Sequence, residues 1–202
     1  MDKTRAALVL AVCSLAIGLV AAQKEGPVTP AARIRSMASY APPSDWIADE
    51  GALGEDPFVT FTRAPHVLRI QMLGGPASRH LSQKAFLSSF EAKDRGGKPA
   101  RSSAIVKVAG VSLPLYERSF SRTLGAPKEG GGMREEVREE FVVVPGGKRF
   151  FVLSWQVRSP DGDAVTEGRP AWEALRASFS PRGARPAREN PPPPSAPKKK
   201  GR

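Results

Sequence analysis

Acid–base, metal or nucleophilic chemistry in this 202-residue chain would have to come from few side chains: two histidines, His66 and His80, and a run of carboxylates, Glu135, Glu136, Glu139 and Glu140. Neither histidine has a Cys, Asp or Glu at the spacing a zinc site uses. Ser78-Arg79-His80 sits in one turn without the glycine-flanked elbow that exposes a serine nucleophile. Both histidines therefore read as ordinary surface residues. The carboxylates alternate with Arg134 and Arg138. On a strand, Glu135 and Glu139 share a face with Val137, while Glu136 and Glu140 share the other with the two arginines. That pattern predicts opposite-charge pairing on a solvated strand rather than a metal cluster. Asp161-Gly162-Asp163 resembles a fragment of a calcium loop but lacks the further ligands and the closing glutamate, so a turn is expected. The glycines at Gly74-Gly75, Gly96-Gly97 and Gly130–Gly132 lack the strand, lysine and helix context of a phosphate cradle. The stretch Gly125–Gly132 has the composition of a mobile binding loop. No catalytic, cofactor or metal residue is expected.

Charge is the more distinctive chemistry. The formal net charge is +11, but residues 182–202 hold seven basic residues (Arg182, Arg185, Arg188, Lys198, Lys199, Lys200 and Arg202) against the single acid Glu189. Most of the basicity thus belongs to a tail, not to a folded face. Pro191–Pro194 and Pro197 favour a stiff polyproline segment with Lys198, Lys199, Lys200 and Arg202 at its end. Those four cations are the candidate contacts to an anionic surface, each worth about 1 kcal/mol near acidic lipid. The alternative is a disordered, solubilising terminus. Expected partners are an envelope protein or an anionic lipid or surface polymer, and nucleic acid is not expected because the chain reads as exported.

Export is read at the other end. Lys3 and Arg5 precede an uncharged, largely apolar run from Ala6 to Ala22, which ends in small residues before Gln23. That is the layout of a secretory signal peptide over residues 1–22. A retained membrane anchor is the alternative, at the short limit for a spanning helix. The one cysteine, Cys13, lies inside that run. A chain cleaved near Ala22 then has neither disulfide nor thiolate ligand, and its stability must come from burial.

Between these ends, residues 23–39 are polar and broken by Pro27 and Pro30, a linker by composition. A single domain is expected over 40–181. Pro42-Pro43-Ser44-Asp45-Trp46 is a turn into an apolar anchor. Phe58–Arg63 and His66–Leu73 alternate with period two, predicting a hairpin across Ala64-Pro65. Ser78–Ala92 changes to helical period, with Phe86, Leu87 and Phe90 on one side and Ser78 or Ser82 as cap. Lys93–Ser102 reads as a loop. Ala104–Val108 and Val111–Arg122 read as strands around Gly110, and Met133–Val144 and Arg149–Arg158 as a long hairpin at Pro145-Gly146-Gly147. Phe151, Leu153, Trp155 and Val157 mark a core face. Pro170 suits the first turn of a helix carrying Trp172, Leu175 and Phe179, stopped by Pro181. The order ββ, helix, ββββ, helix makes an α+β fold: an antiparallel sheet of about six strands flanked by helices. Roughly 140 residues are enough for one such core.

The Pro-x-x-Trp opening (Pro43 to Trp46), the strand Phe150-Phe151-Val152-Leu153-Ser154-Trp155 and the closing Ala177-Ser178-Phe179 together resemble the PsbP-like fold family. That family is named for the extrinsic protein of photosystem II and shared with bacterial secreted proteins of unknown role. The resemblance spans roughly residues 40–181. It implies an α/β/α sandwich and a protein that docks on a larger assembly rather than one that does chemistry. It carries over no functional residue, and no photosystem role. The function expected is a non-enzymatic accessory or binding protein outside the cytoplasm, periplasmic or secreted. Two alternatives remain. One is a small hydrolase or small-molecule-binding protein with a pocket between the sheet and the 78–92 helix, using His80 or a carboxylate such as Glu136. The other is a hydrophobic ligand held inside the sandwich by Trp46, Trp155 and Trp172, against plain packing of those rings.

Overall fold

A computed structural model describes residues 28–90, 100–124, 133–160 and 162–182. The export segment over 1–22, the glycine stretch 125–132 and the four tail cations lie outside the described residues. Among those that are described, no helix is long and apolar enough to cross a membrane.

The stretch expected as a linker contains structure. Pro30–Met37 form helix α1, with Thr29 as N-cap accepting from the Ala32 N–H and Pro30 in the first turn. The proline read as a breaker is a helix starter, because its missing N–H is one that a first turn leaves unpaired. Ile34 is fully buried, and the Ala31 N–H donates to Glu50 Oε2 at 2.6 Å. Ala38–Ser39 (β1) follow and pair with Ser180–Pro181.

The main sheet is built from β2 (Ile47–Leu53), β3 (Asp56–Arg63), β4 (His66–Leu73), β5 (Arg101–Val108), β6 (Val111–Leu124), β7 (Met133–Gly146) and β8 (Arg149–Arg158). Its order is β2-β3-β4-β8-β7-β6-β5, and every pairing is antiparallel. The α+β class and the antiparallel sheet are as the alternating segments predicted, with seven strands instead of about six. The added strand, β2, is an edge whose Asp49 and Glu50 hide it from a search for hydrophobic alternation. Charged side chains on an edge also block pairing with another chain.

Helix α2 (Gln83–Ser88) is capped by Ser82, whose Oγ accepts from the Ala85 N–H. It is shorter than the period predicted, because Ser78 closes a turn instead, accepting from the Gly74 and His80 N–H groups and donating to the His80 carbonyl. Helix α3 spans Gly162–Ser178 and contains Pro170 in its interior. The sequence placed its start at that proline; the helix instead begins eight residues earlier, at the Gly162-Asp163 expected to form a turn. Burial of Ala164 and Gly168 against the sheet compensates for the rung that the proline removes. Ser180–Pro181 (β9) then pair with β1, and the Arg182 N–H donates to the Met37 carbonyl, fastening α1 to the end of α3.

Helices α1 and α3 cover one face of the sheet. Ile34, Trp172, Leu175 and Phe179 pack there on Leu68, Ile70, Val142, Phe151, Leu153 and Trp155. The short α2 covers part of the other, where Phe86 meets Leu73, Phe141, Val143, Phe150 and Val152. Trp155 and Trp172 are core residues, and Trp46 is half-buried against the same cluster.

Gly168 is the close approach that lets α3 lie on the sheet. A Cβ there would sit 2.6 Å from His66 Nδ1 and 2.8 Å from Trp155 Cζ2, both on rigid rings. Gly168→Ala should therefore destabilise by about 1–3 kcal/mol in urea denaturation. Gly162→Ala, which meets nothing within 4 Å, should be neutral or stabilising by up to about 1 kcal/mol.

Candidate ligand groove on the sheet face

Among the described residues, the short α2 covers only part of its face of the sheet. Strand register determines what lies there. In one row across the sheet Arg69 is opposite Ser154, Ser154 opposite Phe141, and Phe141 opposite Tyr116. In the next row Gln156 is opposite Glu139, and Glu139 opposite Arg118. All of these except Tyr116, with Gln71, floor a groove of about 640 Å³ whose sides include Leu53, Arg79, His80, Phe86, Phe90 and Phe120. The volume falls in the range of small-molecule sites.

The floor is organised by Glu139, which is only 6% exposed. The Arg118 guanidinium donates to its Oε2 through Nε, and Gln156 Nε2 donates to its Oε1 at 2.9 Å. Arg118 also lies over the rings of Phe90 and Phe120, 4.4 and 4.7 Å from their centroids. Arg69 lies 4.8 Å over Phe58, and its buried Nε has no hydrogen-bond partner among the described residues. Burial lowers the pKa of Arg69 from its ordinary value, with Glu139 opposing the shift. The guanidinium stays charged at neutral pH. Three arginines against one carboxylate, beside phenylalanine rings, suit an anionic group carried on an apolar body.

The other sequence candidates separate. Glu135 pairs with Arg122, and Glu136 accepts from Ser121. The pairing predicted for the carboxylate run is present, and Glu136 is exposed as expected, but Glu139 and Glu140 are buried. Side chains packed over both faces of β7 leave neither carboxylate open to solvent there. Glu140, 4% exposed, points to the α3 side. It accepts from Arg169 Nη2 at 2.7 Å and from the Trp172 indole N–H at 3.1 Å. It is a fastening for α3. The tryptophans do not line one internal cavity: Trp155 and Trp172 are packed, and Trp46 borders a separate hollow. His80 stands at the rim of the groove, with its ring 5.2 Å from that of Phe86. The expectation of a surface histidine fails for His66. It is 3% exposed and lies between the rings of Trp46 and Trp155, each 6.0 Å away, because the alternation of β4 turns it to the helix-covered face. Burial lowers its pKa, Glu167 raises it and Arg63 lowers it further. Asp45 is the other charged residue around it.

Sequence reasoning did not find Arg69, Arg118 or Gln156 as a group. Strand alternation sets the face of each, but only the strand order makes those faces one surface.

No protein-family model matches the chain, and no curated protein shows significant similarity to it. Among solved structures, a match is the crystal structure of LpqN, involved in cell envelope biogenesis of Mycobacterium tuberculosis; it is 16% identical, with a TM-score of 0.40, covering 77% of this chain and 99% of that one.

Removing Glu140 as Glu140→Ala leaves the Trp172 N–H and Arg169 without their acceptor and should cost about 3 kcal/mol in chemical denaturation. Glu136→Ala, at an exposed site, should stay within about 0.5 kcal/mol. His66 takes up a proton less readily folded than unfolded, so the unfolded state gains as pH falls through the ordinary histidine range near 6.5. The urea midpoint should therefore drop between about pH 7.5 and 5.5. His66→Phe should flatten that slope.

Proposed function

We propose that this chain is a non-enzymatic binding protein that acts outside the cytoplasm, taking an anionic amphiphile of the cell envelope into the groove over β4, β8, β7 and β6. The observation that carries the reading is the groove floor, where Arg69 and Arg118 lie beside Ser154 and Gln156 and aromatic rings form the wall. The poorly hydrated Arg69 gains more from an anion than an exposed arginine would. The pocket lies between the sheet and α2, where the small-molecule alternative had put it. Support for a binding role comes from the hydrogen bonds that already occupy the groups a hydrolase would use. Ser78 holds its turn, and both Glu139 oxygens are engaged.

An extracytoplasmic setting is supported by the N-terminal sequence, with its basic start, uncharged apolar run and small-residue exit. The layered antiparallel sheet is compatible with the PsbP-like resemblance and with docking on an envelope component. Lys198, Lys199, Lys200 and Arg202 would then add an electrostatic hold on an acidic surface.

The test is calorimetric titration of the full chain with lysophosphatidylglycerol below its micellar concentration, with lysophosphatidylcholine as the comparison. The reading requires saturable binding of the anionic lipid, weaker binding of the zwitterionic one, and a loss of about tenfold in Arg69→Gln, equivalent to one charge-assisted hydrogen bond. Equal binding of both lipids, or a wild-type affinity in Arg69→Gln, would overturn it.

A further inference from the structure

Three arginines border the groove, yet its buried floor carries only one unmatched charge. Glu139 is the one acid among the residues that line it. It is 6% exposed, and its two oxygens accept from Arg118 Nε and Gln156 Nε2. Arg118 and Glu139 form an ion pair, so their charges cancel as seen from the groove. Arg79 is exposed, where solvent and salt screen its field. Arg69 is left. It is half-buried, forms no ion pair among the described residues, and has the neutral Ser154, Gln71 and Gln156 beside it.

We infer that the groove selects a head group with one negative charge over a head group with two, and that Glu139 is the residue that sets this limit. The inference rests on the reading of the groove as a site for an anionic amphiphile.

A single charge on the ligand matches Arg69 and leaves the floor neutral. A second charge on the same head group has no cation of its own. Arg118 could meet it only by leaving Glu139 buried without a partner, and stranding one member of a buried pair is strongly unfavourable. Two further contacts hold Arg118 where it is: it lies 4.4 Å over the Phe90 ring and 4.7 Å over Phe120. Gln156 in turn keeps Glu139 from swinging aside. The field of Glu139 also reaches the place where the ligand's charge would sit, since it opposes the effect of burial on Arg69. A fixed carboxylate at that distance repels surplus negative charge, and such repulsion is a common means of rejecting the wrong ligand.

Lysophosphatidylglycerol carries one negative charge, and lysophosphatidic acid with the same acyl chain carries two at about pH 8, above the second ionisation of a phosphate monoester. Calorimetric titration of the full chain with each, below its micellar concentration, gives the ratio of their affinities; lysophosphatidylcholine gives the baseline without net charge. The wild type should bind the singly charged lipid about tenfold more tightly than the doubly charged one. In Glu139→Gln the ratio should fall to about one or reverse, because Arg118 then faces the ligand as well. The acyl chain is common to both lipids, so a variant that folds less well weakens both together and leaves the ratio where it was. The wild-type ratio decides by itself if Glu139→Gln fails to fold. Equal or tighter binding of lysophosphatidic acid by the wild type would overturn the inference, as would an unchanged ratio in Glu139→Gln. If lysophosphatidylglycerol binds no better than lysophosphatidylcholine, the reading of the groove fails and this inference falls with it. If it binds as that reading requires and only the ratio fails, Glu139 sets no limit and the groove reading stands.

Discussion

The fold depends on one junction, the pairing of β4 with β8. From Ile47 to Leu73 the chain makes a meander of three strands, and from Arg101 to Arg158 a meander of four. Eight residue pairs, from His66 opposite Val157 to Leu73 opposite Phe150, join them. These contacts are distant in sequence, so the entropy of closing the intervening chain must be offset by burial. Strand β8 supplies it. Phe151, Leu153 and Trp155 enter one core and Phe150 and Val152 the other, with both sides of the strand covered.

From that junction the two faces diverge. On the first, α1 and α3 bury a large apolar surface, and the β1–β9 pair ties the end of α1 to the end of α3. On the second, among the described residues, a helix of six residues covers the end near Leu73 and Phe150. The rows beyond it carry Arg69, Ser154, Gln156, Glu139 and Arg118, and the groove lies over them. Neighbouring carboxylates on β7 show the division. Glu140 turns toward α3 and holds it through Arg169 and Trp172; Glu139 turns the other way and orders Arg118 and Gln156. Their chemical type is the same, and the pleat of the strand assigns them different work.

Much of this architecture is legible in the residue pattern alone. The hairpin of β3 and β4 and that of β7 and β8 follow from period-two alternation interrupted by turn residues. The face carrying Phe151, Leu153, Trp155 and Val157 is the one that meets α3. Legibility fails where local chemistry has two meanings. Pro30 and Pro170 read as boundaries, yet one starts a helix and the other is carried inside one by tertiary packing. Strand β2 has an acidic pattern that gains strand character only from hydrogen bonds to β3. Of the candidate sites, the pocket between sheet and α2 is foreshadowed in outline by the amphipathic 78–92 segment. Arg69 and Arg118 are not, since nothing along the chain links a residue of β4 to one of β6.

By itself, then, the sequence determined the class of fold, the alternation that assigns each strand residue to a face, and an export-like N-terminus with a basic far end. These are local properties, set by periodicity, turn chemistry and charge within a few residues. Tertiary structure decided which faces adjoin, and so whether a polar residue became solvated surface, groove floor or core. Glu139 shows why: along the chain it reads as a solvated strand residue, and it is buried because Arg118 of β6 and Gln156 of β8 pack on it.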